Sequence, residues 1–244
     1  MPQNIYDNPA FFDGYKALRQ NDTGLNGAVE IPALHALLPT LNGLTVLDLG
    51  CGFGDFARYA RAHGAAAVVG LDISHNMLAE ARRLTHDAAI HYELGQIETF
   101  QAAPGKFDLV VSSLALHYVA DYAAAVRAVW YVLKPGGYFV FSVEHPVCTA
   151  NPVGWIKDEA GKKQHWPLDH YLAEGPRDTR WFVEGVIKYH RTLQTWVNGL
   201  LENGFVLERL LEPGPTLAAL EARPELVDET RRPPFLLLRA RKTG

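Results

Sequence analysis

The chain has 244 residues, 48% hydrophobic and 20% charged, with 23 Lys and Arg against 27 Asp and Glu. Normal apolar content with a net charge of only −4 excludes an intrinsically disordered chain, and a pI near 6.2 gives no overall pull toward nucleic acid. Two cysteines exclude a disulfide scaffold and a thiolate zinc finger, and the reduced state is expected for both. Area scaling buries about 70% of the unfolded surface, enough for one large core. The first twenty residues show no basic segment followed by an apolar one, so no secretory signal is read and a cytoplasmic protein is expected. The apolar runs are strand-sized, well short of the roughly 20 residues of a membrane helix, so no membrane partner is expected either.

Near the start, Phe11, Phe12, Tyr15 and Leu18 fall at helical spacing, with Arg19 adjacent. TVLDLG at 45–50 is a short apolar run ending in glycine and reads as a buried strand. Residues 53–63 place Phe56, Tyr59 and Ala60 at helical spacing, and Gly64 supplies a stop. A second strand spans 66–72, after which Ser74 caps a helix through Met77, Leu78, Ala81 and Leu84. Strand-like stretches recur at 90–94, 107–113 and 136–145. A helix at 121–133 lies between the last two and is closed by Lys134-Pro135-Gly136-Gly137. Strands apolar on both faces, alternating with helices, predict a doubly wound parallel sheet covered on each side.

After His145 the rhythm breaks. Residues 146–188 hold Trp155, Trp166, Tyr171, Trp181 and Phe182 and show neither a helical nor a strand period. They read as an insertion over the carboxyl edge of the sheet, where ligands bind in this architecture; an aromatic loop that only seals a core is the competing reading. A helix at 192–203 with Gly204 as its C′ residue follows. FVLERLLEP and PFLLLRARK are two late strands, joined by a Pro-rich segment with a short helix near 216–222.

The most informative segment is VLDLGCGFGDF at 46–56, a strand entering Gly50-Cys51-Gly52-Phe53-Gly54 and then a helix. Glycines let a backbone approach a ligand without a Cβ collision. Asp72 ends the next strand 22 residues after Gly50, where a carboxylate can accept both ribose hydroxyls of an adenosine cofactor. The dinucleotide fingerprint spaces its glycines G-x-G-x-x-G, whereas here the third comes one residue early. Asp48 and Asp55 bracket the loop, and no Lys or Arg lies between 42 and 57. Those carboxylates would repel a pyrophosphate but attract a sulfonium and an α-ammonium. The charges favour S-adenosylmethionine over NAD.

These residues resemble the class I S-adenosylmethionine-dependent methyltransferases, in particular the methyltransferase type 11 group. VLDLGCGFG resembles the family's first motif and LDIS at 71–74 its ribose acid. FDLVVSSLALHYVAD at 107–121 and LKPGGYFVFS at 133–142 resemble the segments around the fourth and fifth strands. The likeness implies a Rossmann-like α/β fold, a seven-stranded, mostly parallel sheet with its last strand antiparallel and helices on both faces. It also implies a single domain with an N-terminal helical arm at 1–36 over the cofactor, a cofactor-binding core at 37–145, an inserted acceptor-site cap at 146–188, and a C-terminal helix with the last two strands at 189–244.

By the same resemblance, backbone of Gly50, Cys51 and Gly52 holds the methionine part while Asp48 orients its ammonium. Asp72 binds ribose, Ile73 and Met77 pack near adenine, and Gln96 and Ile97 flank the adenine amino group. Gln96 stands where the family often has Asp. Backbone near Ser112, with His117 close behind, lines the sulfonium, and Tyr15 or Arg19 contacts the carboxylate end. Plainer readings stand beside these: Ile73 and Met77 as core, Asp48 as a turn cap, His117 as a packed ring, Arg19 as solvated.

Methyl transfer is an in-line displacement in which alignment alone can be worth ~7–11 kcal/mol. A base is needed only for some acceptors, and His145, at the end of the fifth strand, and His190, at the return from the insertion, are the candidates. Arg180 and Arg191 would suit an anionic acceptor. No metal site is expected, since Glu144-His145 lacks ligand spacing and the ten histidines are scattered. The expected partner is a small, partly apolar methyl acceptor, with S-adenosylhomocysteine as the other product. An NAD(P)-linked oxidoreductase and a non-catalytic S-adenosylmethionine-binding protein are the competing classes.

Overall fold

The computed structural model describes residues 3–21, 24–151 and 153–244. Five strands make the parallel body: β1 (Thr45–Leu49), β2 (Ala67–Asp72), β3 (Ile90–Leu94), β4 (Phe107–Ser113) and β5 (Leu133–Glu144). Two short strands, β6 (Ile156–Lys157) and β7 (Lys163–His165), form one hairpin of the insertion. A longer hairpin pairs β8 (Gly175–Trp181) with β9 (Val183–His190). The sheet ends with β10 (Phe205–Leu211) and β11 (Phe235–Lys242). Its order is β10-β11-β5-β4-β1-β2-β3, with β11 antiparallel to both neighbours and the other strands running one way. This is the expected Rossmann-like seven-stranded sheet with its last strand reversed.

Period-2 side-chain alternation sends each central strand's residues to opposite faces, and both are buried. Leu47, Leu49, Phe139 and Phe141 pack with helices α5 (Tyr122–Val132) and α7 (Leu193–Leu201) through Val126, Val129, Trp196 and Leu200. Val46, Val68, Leu109 and Val111 pack on the other side with α2 (Ile31–Leu37) and α3 (Asp55–Ala62) through Leu34, Leu37, Ala57 and Ala60. Local capping follows the sequence. Ser74 accepts from the Met77 amide at the start of α4 (His75–Leu84), and Thr192 accepts from Thr195 at the start of α7. Thr216 does the same for α8 (Leu217–Ala222), and Gly204 has φ +82° after α7. These hydroxyls satisfy amide hydrogens that a helix start leaves without partners.

Two local expectations give way. β5 begins at Leu133 directly after α5 rather than at 136, because Leu133 pairs with Phe107 before the register shifts and Tyr138 pairs with Leu109. The stretch 146–188 is also more regular than its hydropathy suggests, holding a short helix α6 (Pro146–Thr149) and both hairpins. In β8 the half-buried residues are Gly175, Arg177, Thr179 and Trp181. That inward face is largely polar, so burial alternates while hydropathy does not. Helix α1 (Pro9–Asn21) forms the N-terminal arm and lies against the β8–β9 turn, where Phe11 meets Trp181 and Phe182 edge-on at 5.3 and 5.4 Å. Among the described residues, no helix is long and apolar enough to cross a membrane.

Candidate active site

Strand order reverses between β1 and β4, and the crevice outside their carboxyl ends is where an open α/β sheet binds its ligand. A cavity of about 570 Å³ opens there. It runs from the glycine loop after β1 to the underside of the inserted hairpins.

The loop is shaped by its hydrogen bonds. Amides of Gly50 and Cys51 donate to the Leu71 carbonyl at 2.8 and 3.0 Å, tying the loop to the end of β2. Gly50 has φ +75°, and a Cβ there would overlap that of Ala115 on the opposite wall. Gly52 has φ +52°, but a Cβ there would meet nothing within 4 Å, so its backbone borders open cavity. The Gly52 amide donates to Asp72 Oδ2 at 2.8 Å and the Ser74 amide to Oδ1 at 2.9 Å. A carboxylate has about four acceptor positions, so Asp72 is held in place with capacity left for hydroxyl donors. Burial raises its pKa against these two amides, which lower it.

Asp48 is the outlier of the site. It is buried in the floor beneath the loop, and its Oδ2 finds no donor. Burial first, then the charges of Asp72 and Asp55, push its pKa up to about 8. Such an orphaned carboxyl fits a cation arriving with a ligand. A sulfonium nucleoside with an α-ammonium therefore suits the residues present.

The remaining residues around the glycine loop converge. Ile73, Met77, Gly95, Gln96, Ile97 and Glu98 form one wall, and Leu114, Ala115 and His117 another. Tyr15 packs edge-on to Phe53 at 5.5 Å, and burial raises its phenol to about 12. Arg19 reaches the loop, but its guanidinium is bonded to Asp55 at 2.7 Å. Burial lowers the pKa of His117 to about 4, so its ring is neutral near pH 7, and its Nδ1 accepts from the Glu144 amide at 3.4 Å. Leu114 adopts φ +51°, held by its amide's bond to Ser142 Oγ at 3.0 Å. Buried Glu30 accepts from Ser142 Oγ at 2.5 Å and Ser113 Oγ at 2.9 Å, locking the ends of β4 and β5 behind that wall.

Four side chains named from the sequence turn away from the cavity. Ser112 turns its side chain from the cavity and donates to the Leu49 carbonyl at 2.9 Å, while the chain beside it at Ser113, Leu114 and Ala115 lines the cavity. His145 turns from the cavity to cap α6. Its Nδ1 accepts from the Val147 amide at 3.1 Å, and its Nε2 meets Glu212 Oε1 at 2.7 Å. His190 is buried with Nδ1 on Thr149 Oγ1 at 2.8 Å and Nε2 on the Tyr171 carbonyl at 2.9 Å. Both rings have both nitrogens engaged, and neither borders the cavity. Arg191 likewise donates to the carbonyls of Val119 and Ala120 and lies over Trp196, away from the cavity.

The cap end presents two charged groups that the sequence reading did not name as site candidates, Glu144 and Lys188. Glu144 closes β5 and meets Lys188 Nζ of β9 at 2.5 Å. Burial would raise the Glu144 carboxyl, but Lys188 holds it below its usual value. Tyr6, Tyr118, Trp166 and Trp181 complete the enclosure. The signal was one position away: side chains alternate along a strand, so Glu144 and His145 must face opposite ways.

Residues 47–141 match the methyltransferase type 11 family, described as a methyltransferase domain. The chain belongs to the S-adenosylmethionine-dependent methyltransferases, and S-adenosylmethionine is its cofactor. A crystal structure of an S-adenosylmethionine-dependent methyltransferase from Mesorhizobium loti is 50% identical, covers 90% of this chain and 100% of that one, and superimposes with a TM-score of 0.83. An uncharacterized protein of Haemophilus influenzae is 34% identical over 98% of this chain and 97% of its own length. A malonyl-[acyl-carrier protein] O-methyltransferase of Enterobacter lignolyticus is 44% identical, but the match spans only 45% of this chain and 43% of that protein.

Proposed function

We propose that the cavity binds S-adenosylmethionine across the glycine loop and a small-molecule methyl acceptor beneath the cap. The observation that carries this reading is the continuity of one cavity from Asp48 and Asp72 to Lys188 and Trp166. Its volume is typical of small-molecule sites. Asp48 pairs with the α-ammonium, the Gly50–Gly52 backbone borders the methionine part, and the free acceptor positions of Asp72 take the ribose hydroxyls. Ile73 and Met77 supply apolar contacts to the base, and Gln96 and Ile97 flank its amino edge.

The cofactor, when bound, supplies an electrophilic methyl group on a sulfonium with a neutral leaving group. The chain's own contribution is alignment and exclusion of water. Leu114, Ala115 and neutral His117 wall the reacting region. Tyr6 and Tyr118 cover it, their rings edge-on at 6.0 Å. A neutral imidazole with an unprotonated Nδ1 bonded to Glu144 has its proton on Nε2, so His117 serves as a donor or a wall rather than as a base in that state.

Calorimetric titration with S-adenosylhomocysteine, with NADH as comparator, tests the assignment. Wild type is expected to bind the nucleoside and not NADH, and Asp72→Ala to lose at least ~10-fold in affinity, the scale of one or two charge-assisted hydrogen bonds. Equal affinity in the variant would remove Asp72 from the ribose position.

A further inference from the structure

The charged groups lining the cavity are segregated. At the glycine-loop end lie Asp48, Asp55, Asp72 and Glu98, with Arg19 as the one cation among the described residues there. At the cap end lie Arg177, Lys188 and Arg232, with Arg180 at the exposed rim, and Glu144 is the carboxylate facing them. Lys188 is neutralised by Glu144, and Arg180 by Glu184 at 3.2 Å. Arg177 spends its N–H groups on the carbonyls of Ala150, His170, Ala173, Gly175 and Pro176.

Arg232 differs from these. Its Nη2 is 2.9 Å from Glu229, but Nε and Nη1 are buried without an acceptor. The guanidinium carbon lies 4.0 Å from the centroid of the Trp166 ring, just after β7 of the insertion. Buried N–H donors on a charged group are costly to leave unpaired, and a guanidinium is a strong donor to carboxylate and phosphate oxygens.

We infer that the methyl acceptor carries an anionic group, a carboxylate or a phosphate, which docks on Arg232 at the cap end of the cavity. This rests on the proposed function above. The two ends of the cavity then match two ligands of opposite charge, the acidic loop taking the cationic end of the cofactor and the basic cap taking an anionic acceptor. Arg232 is in this account a specificity residue. It selects which molecule enters and leaves the cofactor end unaffected.

The test uses the full chain saturated with S-adenosylhomocysteine, titrated with phenylacetate, phenyl phosphate and the neutral phenylacetamide, and read by calorimetry and by fluorescence of the cavity tryptophans. At least one anion is expected to bind ~10-fold or more tightly than the amide. Whichever anion leads tells carboxylate from phosphate. Arg232→Met should abolish the preference and Arg232→Lys should retain part of it, with nucleoside affinity unchanged within about 2-fold in both. Lack of an anion preference in wild type, including lack of binding by either anion, overturns the inference, as does a preference that survives Arg232→Met. If Arg232→Met does not fold, the wild-type comparison and Arg232→Lys still decide. Failure of the nucleoside itself to bind wild type would instead sink the proposed function.

Discussion

Asp48 follows two fully apolar positions in β1, Val46 and Leu47, and shares a sheet face with Val46. A carboxyl in that position is desolvated by the packing that makes the strand, and its neighbours Asp72 and Asp55 add like charge. The folded-state pKa of about 8 lies above the unfolded value of 3.8. Between those two pH values the folded protein therefore binds more protons than the unfolded chain, so this group's contribution to stability falls as pH rises from about 4 to 8. Melting temperatures of wild type and Asp48→Asn measured across that window should diverge, with the wild type declining relative to the variant as pH rises. A parallel pair of curves would remove Asp48 as the source. A cation pairs only with the ionised form, so binding of S-adenosylhomocysteine at pH 7 should release close to one proton from wild type. Calorimetry in buffers of different ionisation enthalpy reads that proton directly, and Asp48→Asn should release none.

The elements around the loop explain why much of the site was legible and part of it was not. The strand-loop-helix-strand-acid order can be read because each part has a local signature: glycines where φ is positive, an apolar run before them, a carboxylate at the next strand end. Gly50 shows how tight that requirement is. Its φ of +75° and its approach to Ala115 leave no room for a Cβ, so Gly50→Ala should displace the loop and destabilise the fold by about 1–3 kcal/mol. Adding Ala115→Gly should recover part of that loss by removing the clash, though not the backbone strain. Additive destabilisation in the double mutant would show that the two walls do not touch in solution. The histidines were less legible because a strand-end side chain's role depends on where the strand stops. β5 ends at Glu144, so Glu144 faces the cavity and His145 becomes a helix cap. Hydropathy hid the β8–β9 hairpin because its inward face is polar, and Lys188 on β9 and Arg232 just before β11 reach one cavity from parts of the chain distant in sequence.

Across the whole molecule, the N-terminal arm and the inserted hairpin close the cavity together. Gln3 donates from its side chain to the Gly185 carbonyl at 2.7 Å and accepts from the Ile187 amide at 2.9 Å, bridging the arm to β9. Asp7 accepts from Ser74 Oγ at 2.6 Å and the Asn76 amide at 3.0 Å, fixing the same arm to the end of β2 where Asp72 sits. Phe11 is fully buried between these anchors and packs edge-on against Tyr6 at 4.8 Å as well as against Trp181 and Phe182. Replacing a buried Phe by Ala ordinarily costs about 3–5 kcal/mol. Here the loss falls on contacts between two outer layers, while the central strands keep both of their helical covers. Local opening is therefore the cheaper response. Phe11→Ala is expected to raise amide exchange in residues 3–21 and 175–190 together, to leave β1, β4 and β5 protected, and to weaken S-adenosylhomocysteine binding by ~10-fold or more. Exchange that rises equally in the central strands would make the arm part of the global folding unit. A rise confined to the arm would mean that the hairpin stands without it, and the two would then not act as one cover.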